Sequence, residues 1–169
     1  MPPPYLVNLD SQTHPRVGNK GRQLQFLMRH GEAVPATYAC VWDAYQAYSQ
    51  GSHRVLEEIK AELAGLISEK QRYAVRSSAS VEDGELSFAG QFQSYLDVRG
   101  ANQIIDAIEA IWAATDSDRV RTYLAKNGVN PADVHMAVLV QEMVVPEASG
   151  VSFSRNPLTG LDEVMVEAV

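Results

Sequence analysis

The chain has 169 residues, of which 46% are hydrophobic and 21% are charged, and its formal net charge is −7. These values are typical of a soluble globular protein of about one domain, and the acidic balance argues against a nucleic-acid-binding domain, which usually carries a basic face. The single cysteine, Cys40, excludes an internal disulfide framework and favours a cytoplasmic location, and no apolar run approaches the ~20 residues of a membrane span.

The first half of the chain alternates helix and strand patterns. The run Tyr73-Ala74-Val75 is a short β-type segment that ends at Arg76. Upstream of it, apolar spacing and turn signals predict an edge strand at 5–9, a helix at 21–30, a strand at 38–41 and helices at 43–50 and 53–68.

The second half begins with a polar, glycine-bearing stretch. Alternation from Gln91 to Val98 then predicts a strand with Phe92, Leu96 and Val98 on one face. Further elements are predicted as helices at 102–114 and 118–127, a buried strand at 136–140 and strands at 150–154 and 163–169. Because the last strand pattern runs to Val169 without a polar tail, we expect residues 1–169 to be the amino-terminal part of a longer domain.

The segment Gly18-Asn19-Lys20-Gly21 is the first candidate for ligand chemistry. Small residues let the backbone approach a ligand closely, a helix amino terminus favours anions, and Lys20 adds a positive charge. This combination fits phosphate binding, although the spacing is not that of a P-loop. The simpler interpretation is a loop glycine before a helix with a solvated lysine, and the segment alone favours it.

The second candidate is the segment from Tyr73 to Tyr95, which is rich in serine and glycine. Arg76, at the predicted end of a strand, has a guanidinium group suited to paired hydrogen bonds with phosphate oxygens. The adjacent hydroxyls of residues 77, 78 and 80 could join it, and the stretch through Gly84 and Gly90 could cover a nucleotide. An ordinary hairpin loop with a surface arginine explains the pattern about equally well.

The third candidate is the buried strand that leads into Gln141-Glu142-Met143. A hinge at this point could read the edge of an adenine ring through a backbone amide and carbonyl. A core strand that turns polar at its end is the simpler interpretation of the pattern.

Other residues carry weaker indications. The four histidines are scattered without the spacing of a metal site, so no metal ligand is assigned. Cys40 lies in an apolar segment and is expected to be buried and inert. Glu82, Asp83 and Glu85 form an acidic cluster that a solvated loop explains best.

Taken in order, these segments resemble the amino-terminal nucleotide-binding domain of the phosphoenolpyruvate synthase and pyruvate phosphate dikinase family. Rifamycin phosphotransferases and glucan water dikinases are related to this family. The resemblance covers nearly the whole chain. The matching segments lie at 18–21, 31–35, 74–79 with 82–83, 87–91, 138–144, 149–154 and 156–160.

The resemblance implies an α+β fold of the ATP-grasp type, in which ATP lies between two subdomains. By motif, Lys20 and Arg76 would contact the phosphates, with Arg76 as the catalytic residue. Asn19 stands where the family has a glycine, so a left-handed or extended backbone is expected there.

The same motifs assign the rest of the implied nucleotide site. Gly90 and Ser94 would lie in the loop and strand that cover the nucleotide. Gln141 and Met143 would face the adenine. Ser94 keeps the hydroxyl of the threonine that is common in the family at that position.

The resemblance also implies a reaction that needs more than this chain. In the family, ATP phosphorylates a histidine on a separate domain, and a further domain passes the phosphoryl group to pyruvate. The implied partners are therefore ATP and the phosphohistidine and pyruvate-binding domains of a full-length phosphotransferase. The ligands for Mg²⁺ are expected beyond Val169, so the isolated chain is expected to bind ATP weakly and to catalyse poorly.

Alternative functions stay open at this stage. The chain could be a stand-alone nucleotide-binding or regulatory module without catalysis, or part of a related dikinase or rifamycin phosphotransferase. The final acceptor (pyruvate, an antibiotic or a glucan) and the oligomeric state are not determined by the sequence.

Overall fold

The computed structural model describes residues 3–11, 14–80, 94–130 and 133–169. These residues form a five-stranded sheet, a two-stranded hairpin and five helices. The strands are β1 (Leu6–Asn8), β2 (Thr37–Cys40), β3 (Tyr73–Ala79), β4 (Ser94–Val98), β5 (Met136–Glu142), β6 (Gly150–Phe153) and β7 (Met165–Ala168). The helices are α1 (Gly18–Arg29), α2 (Trp42–Ser49), α3 (Arg54–Leu63), α4 (Gly100–Thr115) and α5 (Asp118–Lys126).

Strand β5 lies at the centre of the five-stranded sheet, whose order is β1-β2-β5-β3-β4. Each neighbouring pair in this order is antiparallel, which confirms the predicted α+β class with an antiparallel sheet. Both faces of β5 are covered, and its first five residues are all buried. This double burial explains why residues 136–140 form an almost unbroken apolar run in the sequence.

The sheet separates two hydrophobic clusters. On one face, Tyr73 of β3 and Val138 of β5 pack with the buried side chains of α2, α3 and α4. On the other face, Leu139 of β5 packs with Val17, and Leu24 of α1 lies against them. We call this second face the α1 face of the sheet. Helix α1 covers part of it and leaves the side chain of the β3 residue Arg76 exposed.

The edge strand β1 is attached to the helical layer by hydrogen bonds from backbone N–H groups to a glutamate side chain. The Glu62 carboxylate of α3 accepts hydrogen bonds from the backbone N–H groups of Tyr5, at 3.1 Å, and Leu6, at 2.8 Å. These are charge-assisted bonds to donors that an edge strand would otherwise present to solvent. The short strand predicted at the start of the chain is therefore confirmed, and its position at the sheet edge is fixed by α3.

Two boundaries differ from the predictions and move candidate site residues. Strand β3 continues to Ala79 because it pairs with β5 over its whole length, so Arg76 lies in the middle of the strand and not at its end. Helix α1 begins at Gly18, so the segment 18–21 forms the first helical turn and not a preceding loop. Asn19 is helical, whereas Gly18 has the left-handed conformation, with φ of 69°.

Strand β4 contains an irregularity that reverses the predicted alternation of its side chains. Its register with β3 shifts, and Asp97 has a left-handed φ of 57°. Val98 is buried, whereas Leu96 is 61% exposed and Tyr95 packs against the core. The prediction that Leu96 and Val98 share a face is therefore wrong, because one extra residue in a strand inverts the alternation beyond it. Phe92 lies outside the described residues.

The last part of the chain is a hairpin with little burial. In it, β6 pairs with β7 in antiparallel register, with Val151 opposite Glu167. Large apolar side chains on both strands of the hairpin are exposed, including Val151 at 54% and Val166 at 67%. Within the described parts of the chain, none of the helices has both the length and the apolar character required to cross a membrane.

The packing predicts a clear contrast between two leucine-to-alanine substitutions. Leu63 of α3 is fully buried, so Leu63→Ala should lower the free energy of unfolding by about 2–5 kcal/mol. Leu158 is 86% exposed, so Leu158→Ala should change it by less than about 0.5 kcal/mol. Urea denaturation followed by circular dichroism measures both values. Equal losses in the two variants would contradict the described core.

Candidate functional site

Ser78 joins strand β3 to the first turn of α1. Its hydroxyl accepts a hydrogen bond from the backbone N–H of Gly21, at 3.1 Å, and donates one to the backbone carbonyl of Val17, at 2.7 Å. Ser78 is completely buried, so these bonds are shielded from competition with water. The start of α1 is therefore held against the middle of the sheet by a side chain and not by apolar packing alone.

The two glycines of this turn permit the close approach of α1 to the sheet. A Cβ atom on Gly18 would lie 1.9 Å from the backbone oxygen of Ser78, and the positive φ of Gly18 also disfavours other residues. A Cβ atom on Gly21 would lie 2.8 Å from the side chain of Val17. Only glycine fits at these two positions without a movement of the helix.

Lys20 and Arg76 are brought to the same region by this contact. Lys20 directly precedes Gly21 in the first turn of α1 and is half-buried. Arg76 lies two residues before Ser78 on the same face of β3, about 7 Å along the strand, and its side chain is exposed. Two cationic residues that are 56 positions apart in the sequence thus lie on either side of the contact between Ser78 and the first turn of α1.

Ser94 and Gln141 extend this group along the α1 face. Ser94 pairs directly with Arg76 across β3 and β4, which places their side chains on the same side of the sheet. Gln141 pairs with Ala74, two residues from Arg76, and its amide Nε2 donates a hydrogen bond of 2.9 Å to the hydroxyl of Thr37. Thr37 was not singled out from the sequence, although its place two residues before the buried Ala39 of β2 puts it on this face.

Met143 follows β5, and its backbone polar groups already have partners. Its N–H donates to the carbonyl of Arg72 at 2.8 Å, and its carbonyl accepts a hydrogen bond from the Gln71 amide at 3.2 Å. Its sulfur atom accepts a hydrogen bond of 3.1 Å from the backbone N–H of Asp97. The segment is thus held between the approach to β3 and the irregular part of β4.

The serine hydroxyls near Arg76 do not lie where the sequence suggested. Ser77 faces the helical layer, because its partner Val138 belongs to that core. The Ser78 hydroxyl is used by α1, and the Ser80 hydroxyl accepts a hydrogen bond of 3.1 Å from the backbone N–H of His135. Continuation of β3 past Arg76 is the cause for Ser77 and Ser78, which lie in the strand, whereas Ser80 directly follows its last residue, Ala79.

Part of the predicted site falls outside the described residues. Gly90, Gly84 and the acidic cluster of Glu82, Asp83 and Glu85 lie within residues 81–93, which the structure does not describe. Within the residues that it does describe, no group of three His, Cys, Asp or Glu side chains is arranged to hold a metal ion.

Cys40 does not contribute to the group on the α1 face. Its side chain is completely buried in the core beneath the helical layer, as predicted. Burial raises the pKa of the Cys40 thiol well above its usual value, and the charge of Glu62 raises it further. The thiol is accordingly protonated and unreactive.

A cavity of about 270 Å³ lies among the helices, away from the α1 face. Tyr45, Asp116 and Arg121 give it a polar lining. Burial raises the pKa of Tyr45 to about 12, with a further contribution from the charge of Asp116. None of the residues singled out from the sequence lines this cavity.

The chain matches the family described as "Pyruvate phosphate dikinase, AMP/ATP-binding domain" over residues 50–169, which is more than half of its length. The chain belongs to this family. Membership agrees with the antiparallel sheet and packed helices and supports the ATP-grasp-like class expected from the sequence. The ordered motifs from residue 74 to residue 160 all fall within the matched range.

The chain is also similar in sequence to a rifampicin phosphotransferase and to a phosphoenolpyruvate synthase. It is 35% identical to the "Rifampicin phosphotransferase" of Streptomyces sviceus over 92% of this chain and 22% of that protein. It is 43% identical to the "Phosphoenolpyruvate synthase" of Pyrococcus furiosus over 68% of this chain and 15% of that protein. The chain therefore spans less than a quarter of the length of either relative.

The cavity beside Tyr45 allows a prediction about proton binding. Asp116→Asn removes a negative charge beside Tyr45, so the pKa of Tyr45 should fall while staying above the ordinary value of 10.0, because the phenol remains buried. The difference between ultraviolet titrations of the chain and of its Tyr45→Phe variant isolates this one tyrosine. Asp106→Asn on α4 serves as the control, and an unchanged pKa of Tyr45 in Asp116→Asn would contradict the described contact.

Proposed function

We propose that residues 1–169 form the amino-terminal part of an ATP-binding domain and bind the phosphates of ATP at the α1 face of the sheet. The observation that carries this proposal is the joint position of Lys20 and Arg76. Both residues are fixed to the same buried hydroxyl, Lys20 through the first turn of α1 and Arg76 through β3. The family description, which names AMP and ATP as ligands, supports the choice of anion.

The chemistry of the two cations suits a triphosphate. Arg76 presents a planar guanidinium that can donate two parallel hydrogen bonds to phosphate oxygens, and Lys20 acts as a compact point charge. The first turn of α1 adds backbone N–H groups and the positive end of the helix dipole. Because the chain as a whole carries a net charge of −7, this local positive region would attract an anion against the overall field.

The adenine would lie further along the same face, towards the ends of β5 and β4. Gln141 and Met143 are the residues proposed to face it, with Ser94 and Gly90 towards the phosphates. Because the N–H of Met143 is already donated to Arg72, adenine would be recognised through side chains or through the second lone pair of the Met143 carbonyl.

The full-length protein is proposed to be a phosphotransferase in which ATP phosphorylates a histidine on a separate domain for transfer to pyruvate. The relative named phosphoenolpyruvate synthase supports this acceptor, whereas the relatives named rifampicin phosphotransferase support an antibiotic acceptor. Lys20 and Arg76 would have the same role in both reactions, namely to position the phosphates and offset their charge.

The proposal predicts that Arg76→Ala weakens ATP binding by roughly tenfold or more, because a hydrogen bond to a charged group contributes about 1.5–3 kcal/mol. Isothermal titration calorimetry of the chain with ATP measures the effect. Arg54→Ala is the matched control, since Arg54 is 85% exposed on α3, in the layer over the opposite face. Equal ATP affinity in the wild type and Arg76→Ala would remove Arg76 from the site.

The same titrations test how complete the site is. The affinity of the chain for ATP is expected to be weak and to change little when Mg²⁺ is added, because the metal ligands are proposed to lie outside residues 1–169. Tight binding that depends on Mg²⁺ would show that this part of the proposal is wrong.

A further inference from the structure

We infer that Ser78 is a positioning residue for the phosphate site, because its hydroxyl fixes the first turn of α1, and with it Lys20, relative to Arg76. This inference rests on the proposed function. It assigns to Ser78 a role that differs from phosphate binding. The hydroxyl acts on the ligand through Lys20.

The hydroxyl bonds to both of the polar groups that begin the helix. In an α-helix, each N–H donates to the carbonyl four residues earlier, so the Gly21 N–H and the Val17 carbonyl are the pair with which α1 starts. The Ser78 hydroxyl accepts a hydrogen bond from this N–H and donates its proton to this carbonyl. A side chain from the sheet thus bridges the first turn and sets the position at which α1 starts.

Close backbone contact makes this arrangement specific. Gly18 approaches so closely that an added Cβ would overlap the backbone oxygen of Ser78, at 1.9 Å. The bridge and this contact lie at opposite ends of the segment Gly18–Gly21. Lys20 lies between them, so the position of its backbone is determined from both sides.

The Ser78 hydroxyl has no proton left to offer a phosphate. Its one proton is donated to Val17, and its side chain is completely buried. Arg76, two residues away on the same strand, is fixed by the pairing of β3 with β4 and β5. The distance between the two cations therefore depends on how α1 is seated on β3, and the Ser78 bridge sets this seating.

Removal of the hydroxyl should displace the turn without unfolding the protein. In Ser78→Ala, the N–H of Gly21 and the carbonyl of Val17 keep each other as helical partners, so neither group is left unsatisfied. The turn loses its hydrogen bonds to β3, so the position of Lys20 relative to Arg76 is no longer fixed by them. The phosphate-dependent part of the affinity should decrease, whereas contacts with the nucleoside should be retained.

A double-mutant cycle tests this inference. Calorimetry with ATP and with adenosine is performed on the wild type, Ser78→Ala, Lys20→Ala and the double variant. Ser78→Ala should weaken ATP binding on the order of tenfold, leave adenosine binding unchanged and cause no further loss once Lys20 is absent. The matched control is Ser77→Ala, which removes a buried hydroxyl from the other face of the same strand and should leave ATP binding unchanged.

Several outcomes would overturn the inference. Unchanged ATP affinity in Ser78→Ala, an equal loss for ATP and adenosine, or losses that add in the double variant would each assign Ser78 a structural role only. If Ser78→Ala does not fold, Ser78→Cys keeps a weaker donor and acceptor at the same place, and it should give an intermediate loss for ATP alone. Full ATP affinity in Ser78→Cys would then reject the inference. Failure of the wild type to bind ATP would reject the proposed function and this inference together.

Discussion

The contact between the Ser78 hydroxyl and the first turn of α1 is the constraint on which the arrangement of the α1 face depends. The helical layer on the other face is held by a large apolar core that includes Trp112, Ile108 and Leu63. The cluster beneath α1 is smaller, with six buried residues. Because apolar packing is non-directional, it does not by itself fix the rotation or the starting point of a helix. The directional hydrogen bonds of Ser78 and the contact at Gly18 fix the rotation and the starting point of α1.

Most of the helices and strands could be predicted from the sequence, because burial against a core gives the apolar residues of each element a regular spacing. The stripe of α4 and the apolar run of β5 gave the correct elements, since each faces a core over its full length. The end of β3 was wrong for the opposite reason. Arg76 and the serines after it have no apolar period, and their strand conformation comes from pairing with β5, which a local pattern does not reveal. The irregularity at Asp97 was missed for the same reason.

The candidate site was predicted in part. Lys20, Arg76, Ser94 and Gln141 were singled out, and the structure brings the last three to neighbouring positions on one face, with Lys20 in the turn that meets this face. The use of the Ser78 hydroxyl could not be predicted, because a hydroxyl in a serine-rich segment fits a phosphate, a turn or a helix equally well. Its partner is 61 residues away in the sequence, and only the fold identifies it.

In the proposed function, the phosphates of ATP lie on the α1 face, between the first turn of α1 and Arg76. A crystal structure of the chain with a non-hydrolysable ATP analogue tests this position. We expect phosphate density in contact with Lys20 and the Arg76 guanidinium, with the base towards Gln141. Density for the analogue in the cavity beside Tyr45, or phosphates with no contact to either cation, would contradict it.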